Sequence, residues 1–150
     1  MTRTVARGLL WGCAVLSLPF LAYGVTTATA MVLNNRLLGQ FERALYDYPL
    51  PVGSSVVDRH SNFELMGNGE HCDIDVTQIL RTPLSRDEVY RYYAAAGLVE
   101  ALKPTRGGEA VYVQVRDTAQ EVTGERQVIV DLISPGWDRF FSLDTFDPRC

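Results

Sequence analysis

Hydrophobic and polar positions follow three successive patterns along this chain. From Gly8 to Leu33 no residue is charged, and leucine, alanine, valine and phenylalanine dominate. That run exceeds the roughly 20 residues needed to cross a hydrocarbon core. Its partial breakers, Pro19 and Gly24, are tolerated in membrane helices. Leu33, Leu37, Phe41, Leu45 and Tyr48 then recur at near-helical spacing, which predicts that the helix continues as an amphipathic stalk toward Tyr46. The Pro/Gly/Ser cluster from Pro49 to Ser55 ends it and reads as an extended linker.

Beyond the linker the period changes from helical to alternating. Val56 to Met66 reads as a strand with Phe63 and Leu65 on one face, and Gly67-Asn68-Gly69 as a hairpin turn, since Asn-Gly accepts positive φ at both residues. Cys72, Ile74 and Val76 alternate with His71, Asp73, Asp75 and Thr77, the pattern of a half-buried strand with its apolar side inward. Ser85 and Glu88 form an S-x-x-E capping box at the start of a helix whose stripe is Val89, Tyr92, Tyr93 and Ala96, and Gly97 suits its end. Leu98 to Lys103 reads as a short strand stopped by Pro104. Val111, Val113 and Val115 mark the next strand, and Arg126 to Ser134 the last.

The expected fold class is therefore α+β. An N-terminal transmembrane helix precedes an antiparallel sheet of about five strands in the order β-β-α-β-β-β, with one helix packed on one face. Residues 1–33 would form the anchor, 34–55 the stalk and linker, and 56–150 the extracytoplasmic domain. One short helix cannot cover five strands. The aromatic tail, with Trp137, Phe140, Phe141, Leu143 and Phe146, reads either as the missing cover or as an exposed partner-docking patch.

Charge narrows the range of partners. The chain holds 14 Lys and Arg against 18 Asp and Glu. Only Arg3 and Arg7 precede the apolar run and every acid follows it, so the part from Asn34 onward carries 12 basic and 18 acidic groups, a net charge of −6. Phosphate backbones are bound by clustered Lys and Arg, and no such cluster occurs, which argues against a nucleic-acid partner. Membrane contact is expected through the apolar helix alone, and an envelope protein is the expected partner class. Arg3 and Arg7 give a modest positive-inside bias, N-terminus in the cytoplasm and domain outside. Ala28-Thr29-Ala30 is also an A-x-A signal-cleavage triplet, in which case the domain is secreted after a cut following Ala30. The apolar run is longer than a usual signal core and continues past that triplet, which favours the retained anchor. Leu10-Trp11-Gly12-Cys13 is a poor lipid-attachment site, because the apolar run continues well beyond Cys13.

Candidate chemistry is sparse. His71-Cys72-Asp73 resembles an activated thiolate cluster, but adjacent strand residues face opposite sides and Cys72 belongs to the inward set. No catalytic residue is assigned and no enzyme is expected. His71, Asp73 and Asp75 share a strand face, and His60 lies on the facing strand, so these four are the candidate metal ligands. None of the familiar metal spacings is present, and solvation alone explains polar residues on an outward face; no cofactor is assigned. Cys72 and Cys150 are the cysteines outside the apolar run and could form a disulfide in an oxidising compartment.

Pro49-Leu50-Pro51-Val52-Gly53-Ser54, Gly67-Asn68-Gly69 and the segment Leu84-Ser85-Arg86-Asp87-Glu88-Val89-Tyr90-Arg91-Tyr92-Tyr93 together resemble small uncharacterised bacterial single-pass membrane-anchored proteins with an extracytoplasmic α+β domain. The resemblance spans about Tyr48 to Gly97. It departs at Gly97-Leu98, where such proteins often have Gly-Trp. Its motifs are caps and turns, so it implies a fold and carries no functional residue. The expected function is a non-enzymatic envelope accessory or interaction module. The alternative is a sensor domain that binds a metal or small ligand on the His60/His71/Asp73/Asp75 face.

Overall fold

The structure, a computed structural model, describes residues 2–65, 72–102, 111–118, 126–135 and 147–149. Its first element is a single helix, α1, from Thr2 to Tyr46, with Pro19 inside it. It is the one described helix long and apolar enough to cross a membrane. Leu16, Leu18, Phe20, Leu21, Tyr23 and Val25 are all exposed, with no protein cover. Within this stretch the Thr26 and Thr29 hydroxyls donate back to the Ala22 and Val25 carbonyls at 2.8 Å, which satisfies polar groups locally as an apolar solvent demands.

Further along, α1 acquires a buried stripe. Ala30, Asn34, Phe41 and Leu45 are buried and Leu37 and Leu38 half-buried, at the three- and four-residue spacing of one helix face. Phe41 and Leu45 belong to the same core as the sheet. The helix runs on to Tyr46, as its amphipathic spacing predicts, and the apolar stripe of that last stretch packs into the domain.

Four strands follow: β1 (Ser55–Leu65), β2 (Cys72–Thr82), β3 (Tyr112–Asp117) and β4 (Arg126–Ser134), all antiparallel and in the spatial order β1-β2-β4-β3. Helix α2 (Arg86–Ala94) and the short helix α3 (Leu98–Ala101) lie between β2 and β3 in the chain. The α+β class holds, but the strand count does not. The strand expected over Leu98 to Lys103 is absent, since the described part of that segment is helical. Gly97 takes φ +66° and ends α2, after which Leu98 turns into the core and its carbonyl accepts the Leu102 amide. Leu98 and Leu102 fall one helical turn apart, and alternation over so few residues cannot be told from that spacing.

Both helices lie on one face of the sheet. On β2 the even-numbered residues Cys72, Ile74, Val76, Gln78, Leu80 and Thr82 are buried there, and on β4 Val128, Val130 and Leu132. The last turns of α1 lie over β1 and β2, and α2 lies over β3. Val89 and Tyr93 of α2 complete the core. The helix layer is therefore built from two pieces, one lent by the apolar N-terminal helix.

Local signals position these elements. The Ser85 hydroxyl accepts the Glu88 amide while the Glu88 carboxylate accepts the Ser85 amide at 2.8 Å, a reciprocal capping box. Gly53 has φ +75°, and a β-carbon there would meet the Pro83 ring at 3.2 Å, so the linker turn needs glycine. The Tyr92 hydroxyl donates to the Pro49 carbonyl at 3.0 Å, tying the linker to α2.

Candidate functional site

Three polar constellations stand out from this scaffold, and none is visible as a motif. The first joins α1 to the sheet. Arg59 Nη2 donates to the carbonyl of Tyr46, the last residue of α1, at 2.9 Å, and its guanidinium lies 4.8 Å over the Tyr46 ring. A helix C-terminus leaves carbonyls without partners and carries partial negative charge, so a cation there is doubly favourable. Arg59 Nε also donates to Gln78 Oε1 at 2.9 Å, and Gln78 Nε2 donates to the Tyr93 hydroxyl at 3.3 Å. The Tyr46 hydroxyl donates to the His60 carbonyl at 2.7 Å, and the Ser61 hydroxyl to Glu42 at 2.5 Å. Burial pushes the Tyr93 phenol up to about 12. Tyr48, Tyr92 and Tyr93 pack as an aromatic trio with ring centres 5.3 to 5.9 Å apart. These contacts fasten one helix end to a sheet.

The second constellation lies on the sheet face turned away from the helices. Asp131, fully buried, accepts Thr77 Oγ1 at 2.9 Å and both Nε and Nη2 of Arg116 at 2.8 Å. Asp75 stands beside them, 3.3 Å from the Thr77 hydroxyl. That hydroxyl has one proton, and the shorter contact gives it to Asp131. Burial, then the neighbouring Asp131 charge, raises the Asp75 carboxyl above its usual range. Ile79, Ile129 and Ile133, all half-buried, share this face with exposed Tyr112.

This is also the face of the candidate metal ligands. The register pairs His60 with Thr77, Asn62 with Asp75 and Glu64 with Asp73, so His60 is a diagonal neighbour of Asp75 and further from Asp73. His60 acts on Asp75 through its charge. His71 lies outside the described residues. Among the described residues no three His, Cys, Asp or Glu side chains converge as metal ligands would. The Arg116 cation already balances Asp131.

The third constellation is at the far end of the chain. The Asp147 side chain is fully buried and accepts Asn34 Nδ2 at 2.9 Å, together with Arg149 Nη2 at 2.7 Å, Nε at 2.9 Å and the backbone amide at 3.1 Å. Arg149 Nη1 donates to Asn35 Oδ1 at 3.0 Å, and the guanidinium lies 5.0 Å over the Phe63 ring. The Arg149 bonds hold the Asp147 carboxyl down at about 2. Asn34 is the first polar residue after the uncharged run, so this contact joins segments 113 residues apart in the sequence.

Cys72 is buried in the core and disulfide-bonded. A nucleophilic role for the His71-Cys72-Asp73 cluster has no support in this, because an oxidised sulfur cannot serve as a thiolate. Cys150 lies outside the described residues, as do Trp137, Phe140, Phe141 and Phe146 of the candidate docking patch.

The fold and these sites together define a class: a two-layer α+β domain continuous with an N-terminal helix apolar enough to cross a membrane. No protein family, curated protein or solved structure matches the chain.

Proposed function

We propose that the protein is a non-enzymatic, membrane-anchored accessory module of a bacterial cell envelope, holding an interaction surface at a fixed height outside the cytoplasm. The observation that carries this reading is the continuity of α1. Its described apolar side chains from Leu16 to Val25 are exposed, and its last turns are part of the domain core through Phe41 and Leu45. A flexible tether would let the domain wander, whereas a packed one fixes which face it presents. The open sheet face is the one presented, with Tyr112 exposed and Arg116 half-exposed above buried Asp131. A disulfide at Cys72 supports the outside location, since such bonds persist in oxidising compartments.

Two measurements test the proposal. A cysteine introduced at exposed Val52 should react with a membrane-impermeant maleimide in intact cells. Protection until lysis would place the domain inside. A photo-crosslinking residue at Tyr112 should capture one defined envelope protein in native membranes, while the same residue at Tyr90, exposed on α2, should not. Equal capture or none would overturn the presenting-face reading.

The sensor alternative rests on the proximity of His60 to Asp75. Stoichiometric zinc uptake by the whole chain, abolished by His60→Ala, would establish it in place of the interaction module.

A further inference from the structure

We propose that the open sheet face receives a basic segment of a partner protein, with an arginine of that segment seated on Asp75 and its stem lying over Ile133 toward Tyr112. The inference rests on the presenting-face reading above and adds to it the chemistry of the partner.

The strand register sets the arrangement. Asp75, Ile133 and Tyr112 form one row across β2, β4 and β3. Adjacent strands lie about 4.8 Å apart, so the Asp75 and Tyr112 backbones stand roughly 10 Å from each other with Ile133 between them. The next row places Thr77 beside Asp131, and the one beyond it joins Ile79, Ile129 and Arg116.

Charge on this face is unbalanced. Among the described residues it carries Asp58, Asp73, Asp75 and Asp131 against Arg81 and Arg116. Arg116 is committed, since its Nε and Nη2 both bond Asp131 at 2.8 Å. Asp75 has the Thr77 hydroxyl at 3.3 Å, whose proton goes to Asp131 at 2.9 Å. His60 acts on Asp75 through its charge alone, and no described cation bonds it. The half-buried Asp75 carboxylate has therefore lost hydration without gaining a counter-charge. Burial and the Asp131 charge push its carboxyl up in consequence. A cation brought from outside would relieve it.

The surroundings select which cation. Ile79, Ile129 and Ile133 are half-buried on the same face, and Tyr112 is 46% exposed. A guanidinium is weakly hydrated, meets a carboxylate with a forked pair of hydrogen bonds and stacks on an aromatic ring, so it suits an acid set among apolar side chains. A second copy of the chain is a poor occupant. The residues from Asn34 onward carry a net charge of −6, and like charges brought together cost affinity.

The test uses the full chain in native membranes, with the photo-crosslinking residue at Tyr112 and the captured segment identified by peptide mass. That segment should carry arginine close to the adduct, and the yield should fall as ionic strength rises. Asp75→Asn should weaken capture at least about tenfold. The variant removes a like charge beside Asp131, so the sheet stays folded, which near-ultraviolet circular dichroism checks. Asp75→Arg should abolish capture, and replacing the partner's arginine with aspartate should restore it. Asp87→Asn, the same change of charge at an exposed position on α2, should leave capture unaltered.

Capture of a segment without basic residues, capture indifferent to Asp75→Asn, a charge swap that restores nothing, or an adduct with a second copy would overturn the basic-segment assignment and leave the open face a docking surface. Absence of capture from Tyr112, or an adduct within the same chain, would overturn the presenting-face reading and this inference with it.

Discussion

If the end of α1 is core and not tether, truncating its buried side chains should destabilise the sheet as a core mutation does. Leu45 is the sharpest probe. It is fully buried in the cluster that includes Phe41 and Val76. Leu45→Ala strips the branched end of the side chain from a packed site, at a cost of about 2–5 kcal/mol for transfer and residual cavity. Against a typical total of about 5–15 kcal/mol for a domain, that is a large fraction. The control is Leu33→Ala, on the same helix but 40% exposed, where the loss should stay within about 0.5 kcal/mol. Urea unfolding of the full chain in one fixed detergent, followed by near-ultraviolet circular dichroism from the tyrosines, gives both midpoints. Leu45→Ala should lower the midpoint of the sheet transition well below that of Leu33→Ala. Equal midpoints would refute the shared core and, with it, the fixed presentation of the open face.

Arg116→Met should cost about 3–5 kcal/mol, because it removes the cation paired with fully buried Asp131 and leaves Thr77 as its one side-chain partner among the described residues; a thermal shift indistinguishable from the unmodified protein would mean the pair contributes nothing net. Asp147 is held below its unfolded value, so its contribution of at most about 2 kcal/mol is present above pH 3.8 and lost as pH falls toward 2. Asp147→Asn should remove that acid-limb dependence in unfolding curves. Asp75 has the opposite sign: its carboxyl is raised, so Asp75→Asn should leave stability at neutral pH unchanged or increased, measured by the same curves. Ser85→Ala should destabilise by about 1 kcal/mol through loss of the α2 cap, read as faster hydrogen exchange in Val89 to Tyr93.

Local chemistry makes several elements legible in the chain itself. The uncharged run to Leu33, the capping box at Ser85 and Glu88, and the alternation in Cys72–Val76 each rest on contacts within a few residues. Cys72 reads as an inward strand residue for the same reason and is buried. Leu98 shows where this fails, since a segment so short carries no distinguishable period and its helical turn is set by the preceding positive φ of Gly97 and the core below. The buried polar sites are illegible for a different reason. Asp131 meets Arg116 and Thr77 across two strand pairings, and Asp147 meets Asn34 across 113 residues. Neither appears at any sequence spacing.

By itself, then, the sequence determined that one helix is apolar enough to cross a membrane, that an acidic α+β domain follows it, and where α2 begins. Those are properties of solvation, period and capping, each settled over one or two turns of chain. Only the tertiary structure decided that the end of α1 joins the helix layer, that the described strands number four in the order β1-β2-β4-β3, and that Asp147 meets Asn34 across 113 residues. Burial and ion pairing depend on which distant segments a fold brings together, and a chain states its own hydrophobic pattern without stating what will cover it.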